Sequence, residues 1–214
     1  GLDSSGLVAG VALIQDDVLI AEYTTNYKKT HSQTLLPMLD ELRRMVDLDL
    51  KSIDLIAVAA GPGSFTGLRI GSATAKGLGL ALDIPLAAVP TVDALAYNLY
   101  GCEQLICPMM DARRGQVYTG IYTFVNGEMQ VIQEQCAISV EELVGRLKEE
   151  CKKYGKKVVL LGDGVPVYRE KVQEILQGQC EFAPASCNRQ RAACVAVLGP
   201  VSYTHLTLPT KRIV

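Results

Sequence analysis

Tryptophan is absent from these 214 residues, phenylalanine occurs three times and histidine twice. So few histidines leave little from which to assemble a histidine-built metal centre. Seven cysteines are present, but no Cys-x-x-Cys spacing, so neither a disulfide framework nor a zinc site is expected, and a reducing cytoplasm suits the chain. No apolar run approaches the roughly 18 residues of a membrane span, and no signal peptide is legible. A net charge of −2 provides no global positive field to recruit nucleic acid. Short basic pairs, among them Lys28-Lys29, Arg43-Arg44 and Arg113-Arg114, read as solvated surface. What the chain does have is apolar content: 49% hydrophobic residues, enough to bury the core of one large domain or of two lobes of about 100 residues each.

The chain reads twice. Val8–Ile14 and Val18–Tyr23 are β-rich runs around a turn at QDD, followed by a helical HSQTLLPMLDELRRMV, a buried strand IDLIAVAA, a helix after Ser64, a strand IPLAAVP and a helical TVDALAYNLY. The second half repeats this order. QLICPMMD leads into a hairpin folded at Asn126-Gly127, then comes a helix opening at Ser139 with Glu142 and closing on Gly155. KKVVLLGDG, VPVYREKVQEILQ, CEFAPA and RQRAACVAVLG then alternate as strand, helix, strand and helix. Two α/β lobes, each a mixed sheet flanked by helices, follow from this pattern. Both ends are irregular. GLDSSG at the start is expected to be the remainder of a first strand. VSYTHLTLPTKRIV, residues 201–214, differs in composition and is read as a non-native tail, with a terminal strand over YTHLTL as the alternative.

The segment GPGSFTGLRIGSATAKG raises the question of what its glycines serve. It is neither a Walker loop nor a Gly-x-Gly-x-x-Gly dinucleotide loop, because Leu68 replaces the lysine and Gly67 falls one position late. On a helical wheel Gly67, Gly71, Ala75 and Gly79 form one bare stripe, with Leu68, Leu78 and Leu82 alongside and Arg69, Ser72, Lys76 and Asp83 opposite. Each interior glycine costs about 0.5–1 kcal/mol of helix stability. The stripe is therefore expected to receive a closely approaching backbone, with phosphate binding at the helix N-terminus as the competing reading.

AGPGSFTGLRIGSATAKGLGLAL with IPLAAVPTVDALA, the upstream LDSSG and HSQTLLPMLDEL, and the downstream MMDARRGQVY closely resemble the TsaB (YeaZ) family, over about residues 1–199. The resemblance implies an α/β fold of the actin-like, sugar kinase and Hsp70 type, a duplicated ribonuclease H-like architecture. An N-terminal lobe over 1–101 would carry the dimerisation helices, and a C-terminal lobe would cover 102–200. It also implies a non-catalytic dimerisation subunit in the formation of N6-threonylcarbamoyladenosine on tRNAs reading ANN codons. The partners implied are the catalytic TsaD, the ATPase TsaE, and tRNA through the assembled complex, with a homodimer when the chain is alone. No cofactor is required by this chain itself, and ATP or ADP would bind only within the complex. The pairing surface is expected at Leu35, Met38, Leu39, Leu42, Gly67, Leu68, Gly71, Ala75, Leu78 and Gly79. Vestigial phosphate and nucleotide loops would fall at Asp3, Ser4 and Ser5, at Asp111, Arg113 and Arg114, and at Gly162, Asp163 and Gly164. Where relatives bind a metal through two histidines four apart, Thr91 and Leu95 stand here, and neither a leucine nor a lone hydroxyl can replace them.

Two other functions compete with the scaffold. A kinase-like or ATPase member of the superfamily would rest on Asp3, Asp111 and Gly162–Gly164. A peptidase would rest on His31 and Ser32, but no Gly-x-Ser-x-Gly elbow is present and the pair reads as a helix start with His31 at the surface. The cysteines read as inert thiols without a histidine partner.

Overall fold

The computed structural model describes residues 1–27 and 31–207; the Lys28-Lys29 pair, Thr30 and the last residues of the tail lie outside them. The chain divides into two compact units, one made of Gly1–Thr91 together with the chain from Arg191 onward, the other of Val92–Gln190.

In the first unit β1 (Leu2–Asp3), β2 (Ala9–Gln15), β3 (Val18–Thr25), β4 (Ile56–Ala59) and β5 (Leu86–Val89) form one sheet in the order β3-β2-β1-β4-β5. β1, β2 and β3 pair antiparallel, while β1, β4 and β5 run parallel. Helices α1 (His31–Met45) and α2 (Phe65–Leu82) cover the sheet, and Leu35, Met38 and Leu42 of α1 are buried against Val11, Val58 and Ala75. Pro37 lies inside α1.

The second unit repeats this layout. β6 (Leu105–Arg113), β7 (Gln116–Val125), β8 (Glu128–Ser139), β9 (Val158–Leu161) and β10 (Cys180–Phe182) run in the order β10-β9-β6-β7-β8, with α4 (Val140–Tyr154) and α5 (Val165–Leu176) packed on one face. The hairpin expected at Asn126-Gly127 is present; both residues take positive φ (53° and 82°), as a two-residue turn with the right-handed strand twist requires. Ser139 caps α4 by accepting from the Glu142 N–H, and Gly155 closes it in the left-handed region.

The boundary expected at 101/102 is corrected. α3 (Thr91–Tyr97) contributes Val92, Leu95 and Ala96 to the core of the second unit, with Ile106, Tyr122 and Phe124. The last helix, α6 (Ala192–Thr207), returns to the first unit. Small residues permit this: Ala192 and Ala193 bury against Ala12, and a β-carbon on Gly10 would stand 3.2 Å from that of Ala192. Glu22 of β3 secures the helix start by accepting from the Ala193 N–H at 3.1 Å and pairing with Arg191. α6 runs on through residues 201–207, so the strand considered for YTHLTL is not formed there.

The Gly1 nitrogen donates to the Ala12 carbonyl at 2.8 Å, continuing the β1–β2 ladder. Gly77, by contrast, is exposed in mid-α2 with nothing near a β-carbon built on it. Gly77→Ala should therefore stabilise the isolated chain by about 0.5–1 kcal/mol through helix propensity, read as a small rise in the denaturant midpoint.

Candidate functional site

The turn after β1 joins several of the expected residues. Asp3 is almost fully buried, and its Oδ1 accepts from the Ser5 N–H (2.9 Å) and the Ser5 hydroxyl (2.6 Å), a local turn of the kind aspartate favours. Asp3 Oδ2 is buried with no hydrogen-bond partner. Burial raises the Asp3 pKa, while the two Ser5 hydrogen bonds and the nearby His31 oppose the rise. His31, expected at the surface of a helix start, is half-buried. Its Nε2 donates to the Gly6 carbonyl at 2.8 Å, which can only accept, and its Nδ1 is buried without a partner. The imidazole is therefore fixed to backbone and not to a nucleophile, which removes the geometric basis of the peptidase reading.

A raised folded-state pKa has a definite consequence. Asp3 is protonated in the folded chain at a pH where the unfolded chain is already ionised, so the wild-type chain loses stability as pH rises from near 4 through the folded value. Asp3→Asn should be close to neutral below pH 4 and stabilising by about 1–3 kcal/mol at pH 7. Urea unfolding of both proteins across that range checks it.

The glycine stripe of α2 meets this turn directly. A β-carbon on Gly67 would overlap the Ser4 carbonyl oxygen, one on Gly63 would overlap that of Ser5, and one on Gly71 would lie 2.5 Å from the Ser4 hydroxyl. Ser4 Oγ donates to the Gly67 carbonyl at 2.8 Å, and the Ser64 N–H donates to Ser5 at 2.7 Å. Ala75 is fully buried, and Gly79 sits against Leu86 and the Ile84 carbonyl. The close approach expected of the stripe is thus real, but the approaching backbone belongs to the same chain.

This corrects the expected pairing surface. Gly67, Gly71, Ala75, Gly79, Leu35, Met38 and Leu42 are buried in the core of their own unit. Leu39 and Leu78 pack partly against that core, and Leu68 covers the Gly61 turn. The phosphate reading weakens for the same reason. The Ser64 amide is taken by Ser5, and the Gly67 amide is capped by Ser64 Oγ at 3.3 Å, so amides an anion would use at the start of α2 are engaged.

The outer face of α2 was expected to be polar, and Arg69 and Lys76 do lie there. The structure adds Phe65, Ala73, Gly77, Leu80 and Ala81, all exposed, Leu80 at 89% and Phe65 at 68%. The Arg69 guanidinium stacks 3.9 Å above the Phe65 ring. Leu36 and Met45 of α1 are exposed as well. The signal for this second stripe was present in the four-residue spacing of Phe65, Arg69, Ala73, Gly77 and Ala81.

In the second unit the loops at Asp111 and at Gly162–Gly164 come together. The Asp111 N–H donates to Asp163 Oδ1 at 3.2 Å, and the Gly164 N–H donates to the Met109 carbonyl at 2.8 Å. A β-carbon on Gly162 would overlap that same carbonyl, which explains the residue type. Asp163 is raised in pKa chiefly by burial, opposed by the Asp111 amide and Arg189. Asp111 is satisfied by its own loop: Oδ1 accepts from the Arg113 N–H at 2.9 Å, and Oδ2 pairs with the Arg113 guanidinium at 3.3 Å. Arg114 is exposed at the same turn.

Thr91 and Leu95 serve the fold. The Thr91 hydroxyl accepts from the Gly61 N–H at 3.0 Å and its own N–H donates to the Gly61 carbonyl, while Leu95 fills the second core. The Cys107 and Cys194 thiols are both pushed up to about 12 by burial, opposite to what a nucleophile needs. Among the described residues no helix is long and apolar enough to cross a membrane.

Comparison with known proteins adds to this geometry. Residues 18–208 match the family model described as TsaD: tRNA N6-adenosine threonylcarbamoyltransferase. The tRNA threonylcarbamoyladenosine biosynthesis protein TsaB of Bacillus subtilis (strain 168) is 35% identical over 198 residues, covering 92% of this chain and 85% of the relative. YeaZ from Pseudomonas aeruginosa superposes with a TM-score of 0.72 at 25% identity, over 95% of this chain and 91% of that one. A ROK hexokinase from Thermus thermophilus superposes with a TM-score of 0.51 at 13% identity, over 96% and 98% of the two chains. The last is a likeness of fold alone, and with YeaZ it identifies the architecture as actin-like.

Proposed function

Because the chain belongs to the TsaB (YeaZ) family, we propose that within tRNA threonylcarbamoyladenosine biosynthesis it acts as a non-catalytic subunit that pairs with a TsaD-type transferase. The observation that carries this reading is the exposed apolar stripe of α2, with Leu80 almost wholly in solvent beside Ala73 and Gly77. Small residues let a partner helix approach, and a large aliphatic side chain gains by being covered. The loops that would serve a nucleotide are occupied by this chain's own groups: Ser4 and Ser5 against the glycines, Arg113 against Asp111. On this reading ATP or ADP, TsaE and tRNA engage the assembled complex, with Arg113 or Arg114, both exposed at one turn, as the residue that contacts a tRNA phosphate. The modified base is N6-threonylcarbamoyladenosine of tRNAs reading ANN codons, formed in the TsaD subunit. Without TsaD the same stripe supports a homodimer.

Calorimetric titration of the chain with TsaD, alongside titration with ATP and magnesium, tests this. Stable pairing with TsaD and no ATP heat is the expected pair of results. Tight ATP binding and turnover by the isolated chain would favour the kinase-like alternative instead.

A further inference from the structure

Along the 18 residues of α2 the charged side chains are Arg69 and Lys76, and none is acidic; Asp83 follows at the C-cap. Both cations are exposed, and among the described residues neither forms an ion pair. The Phe65 ring under the Arg69 guanidinium, 3.9 Å from centroid to carbon, holds the plane of that group and leaves its N–H edge free for a carboxylate. On a helical wheel the line facing solvent runs through Thr66, Ala73 and Leu80 at seven-residue steps. Arg69 and Lys76 border that line on one side, about 10 Å apart along the axis, and Gly77 and Ala81 border it on the other. This is the layout of a helix–helix seam, with small and apolar residues on the line of contact and charges on a flank that choose the partner. A second copy of the chain is a poor choice. Full antiparallel overlap of two α2 helices, about Ala73, sets Arg69 of one beside Lys76 of the other, and parallel overlap sets like beside like. Either way cations meet.

Resting on the pairing reading above, we propose that α2 selects a helix with an acidic edge: one that lays apolar residues on Ala73 and Leu80 and presents two carboxylates, seven residues apart, to Arg69 and Lys76. Arg69 takes its carboxylate through two N–H groups, whereas Lys76 supplies a point charge. The seam sets how tightly the partner is held, and the flank sets which partner is held and how fast it is found. Pairing with an acidic edge weakens as salt rises, and pairing between copies of this chain strengthens.

The experiment titrates TsaD with the full chain by calorimetry at about 50 and about 500 mM NaCl, as wild type, as the Arg69→Glu/Lys76→Glu double variant and as Leu80→Glu. Arg69 and Lys76 are exposed, so the double variant keeps the wild-type thermal midpoint within about 1–2 °C. It is expected to bind at least about tenfold more weakly at low salt and no more than about threefold more weakly at high salt. Sedimentation of the wild-type chain alone should show more dimer at the higher salt. Leu80→Glu separates the two levels of the argument. Undiminished binding by that variant removes pairing through α2, and the acidic edge with it. Weakened binding by Leu80→Glu, with the double variant within about twofold of wild type at low salt, leaves the seam standing and overturns the acidic edge. A dimer of the chain alone that dissociates as salt rises also overturns it.

Discussion

Gly67→Ala is expected to destabilise the chain by about 3–5 kcal/mol, a fall of at least about 6 °C in the thermal midpoint. The added β-carbon would overlap the Ser4 carbonyl oxygen. That carbonyl cannot move aside cheaply, because β1 is flanked by β2 and β4 and the Ser4 hydroxyl is tied to the Gly67 carbonyl. His31 Cδ2, at 3.3 Å, closes the other side. Gly71→Ala should cost less, since it meets only the Ser4 hydroxyl, which can rotate at the loss of one hydrogen bond. Differential scanning calorimetry of the two variants beside Gly77→Ala gives the ranking. A Gly67→Ala chain with an unaltered midpoint and lost affinity for TsaD would show that the stripe faces a partner after all.

Leu80→Glu should have the opposite profile. The side chain is 89% exposed in the isolated unit, so its replacement leaves the midpoint within about 1–2 °C of wild type. In the proposed assembly Leu80 is the most exposed large apolar side chain of the covered stripe, and a carboxylate in its place would be desolvated without a partner. The affinity for TsaD is expected to fall by about 30-fold or more, the equivalent of a 2 kcal/mol hot spot. Phe65→Ala should give a milder loss, because Phe65 is at the end of the stripe and already stacked against Arg69. Titration calorimetry at fixed salt measures both. Undiminished binding by the Leu80→Glu chain places the pairing surface elsewhere and removes the main support for the scaffold reading.

Local chemistry was legible where a residue type answers a local need. Asn126-Gly127 can supply two positive φ angles in succession, and Ser139 and Gly155 bracket a helix by their hydrogen-bonding and backbone freedom. The doubling of the element order was legible too, and the two sheets carry the same strand order. The bareness of the Gly67–Gly79 stripe was evident, but periodicity shows which side of a helix is bare and not what lies against it. The Ser4–Ser5 turn is about sixty residues away in the chain, and only the paired register of β1 with β4 brings it there. The return of α6 to the first unit left no compositional mark, because alanines that fit one sheet closely look like those that fit any other. His31 was misplaced for a similar reason: its partner is a backbone carbonyl, which has no residue identity to read.

The course of the chain, out of the first unit at Thr91 and back at Arg191, bears on how the molecule is made. On the ribosome the first sheet emerges early but waits for its closing helix until all of Val92–Gln190 has been translated. That inserted stretch is continuous and can mature while its host is still unfinished. A premature stop just ahead of Arg191 should therefore yield an intact insert attached to a host that proteases recognise as nascent.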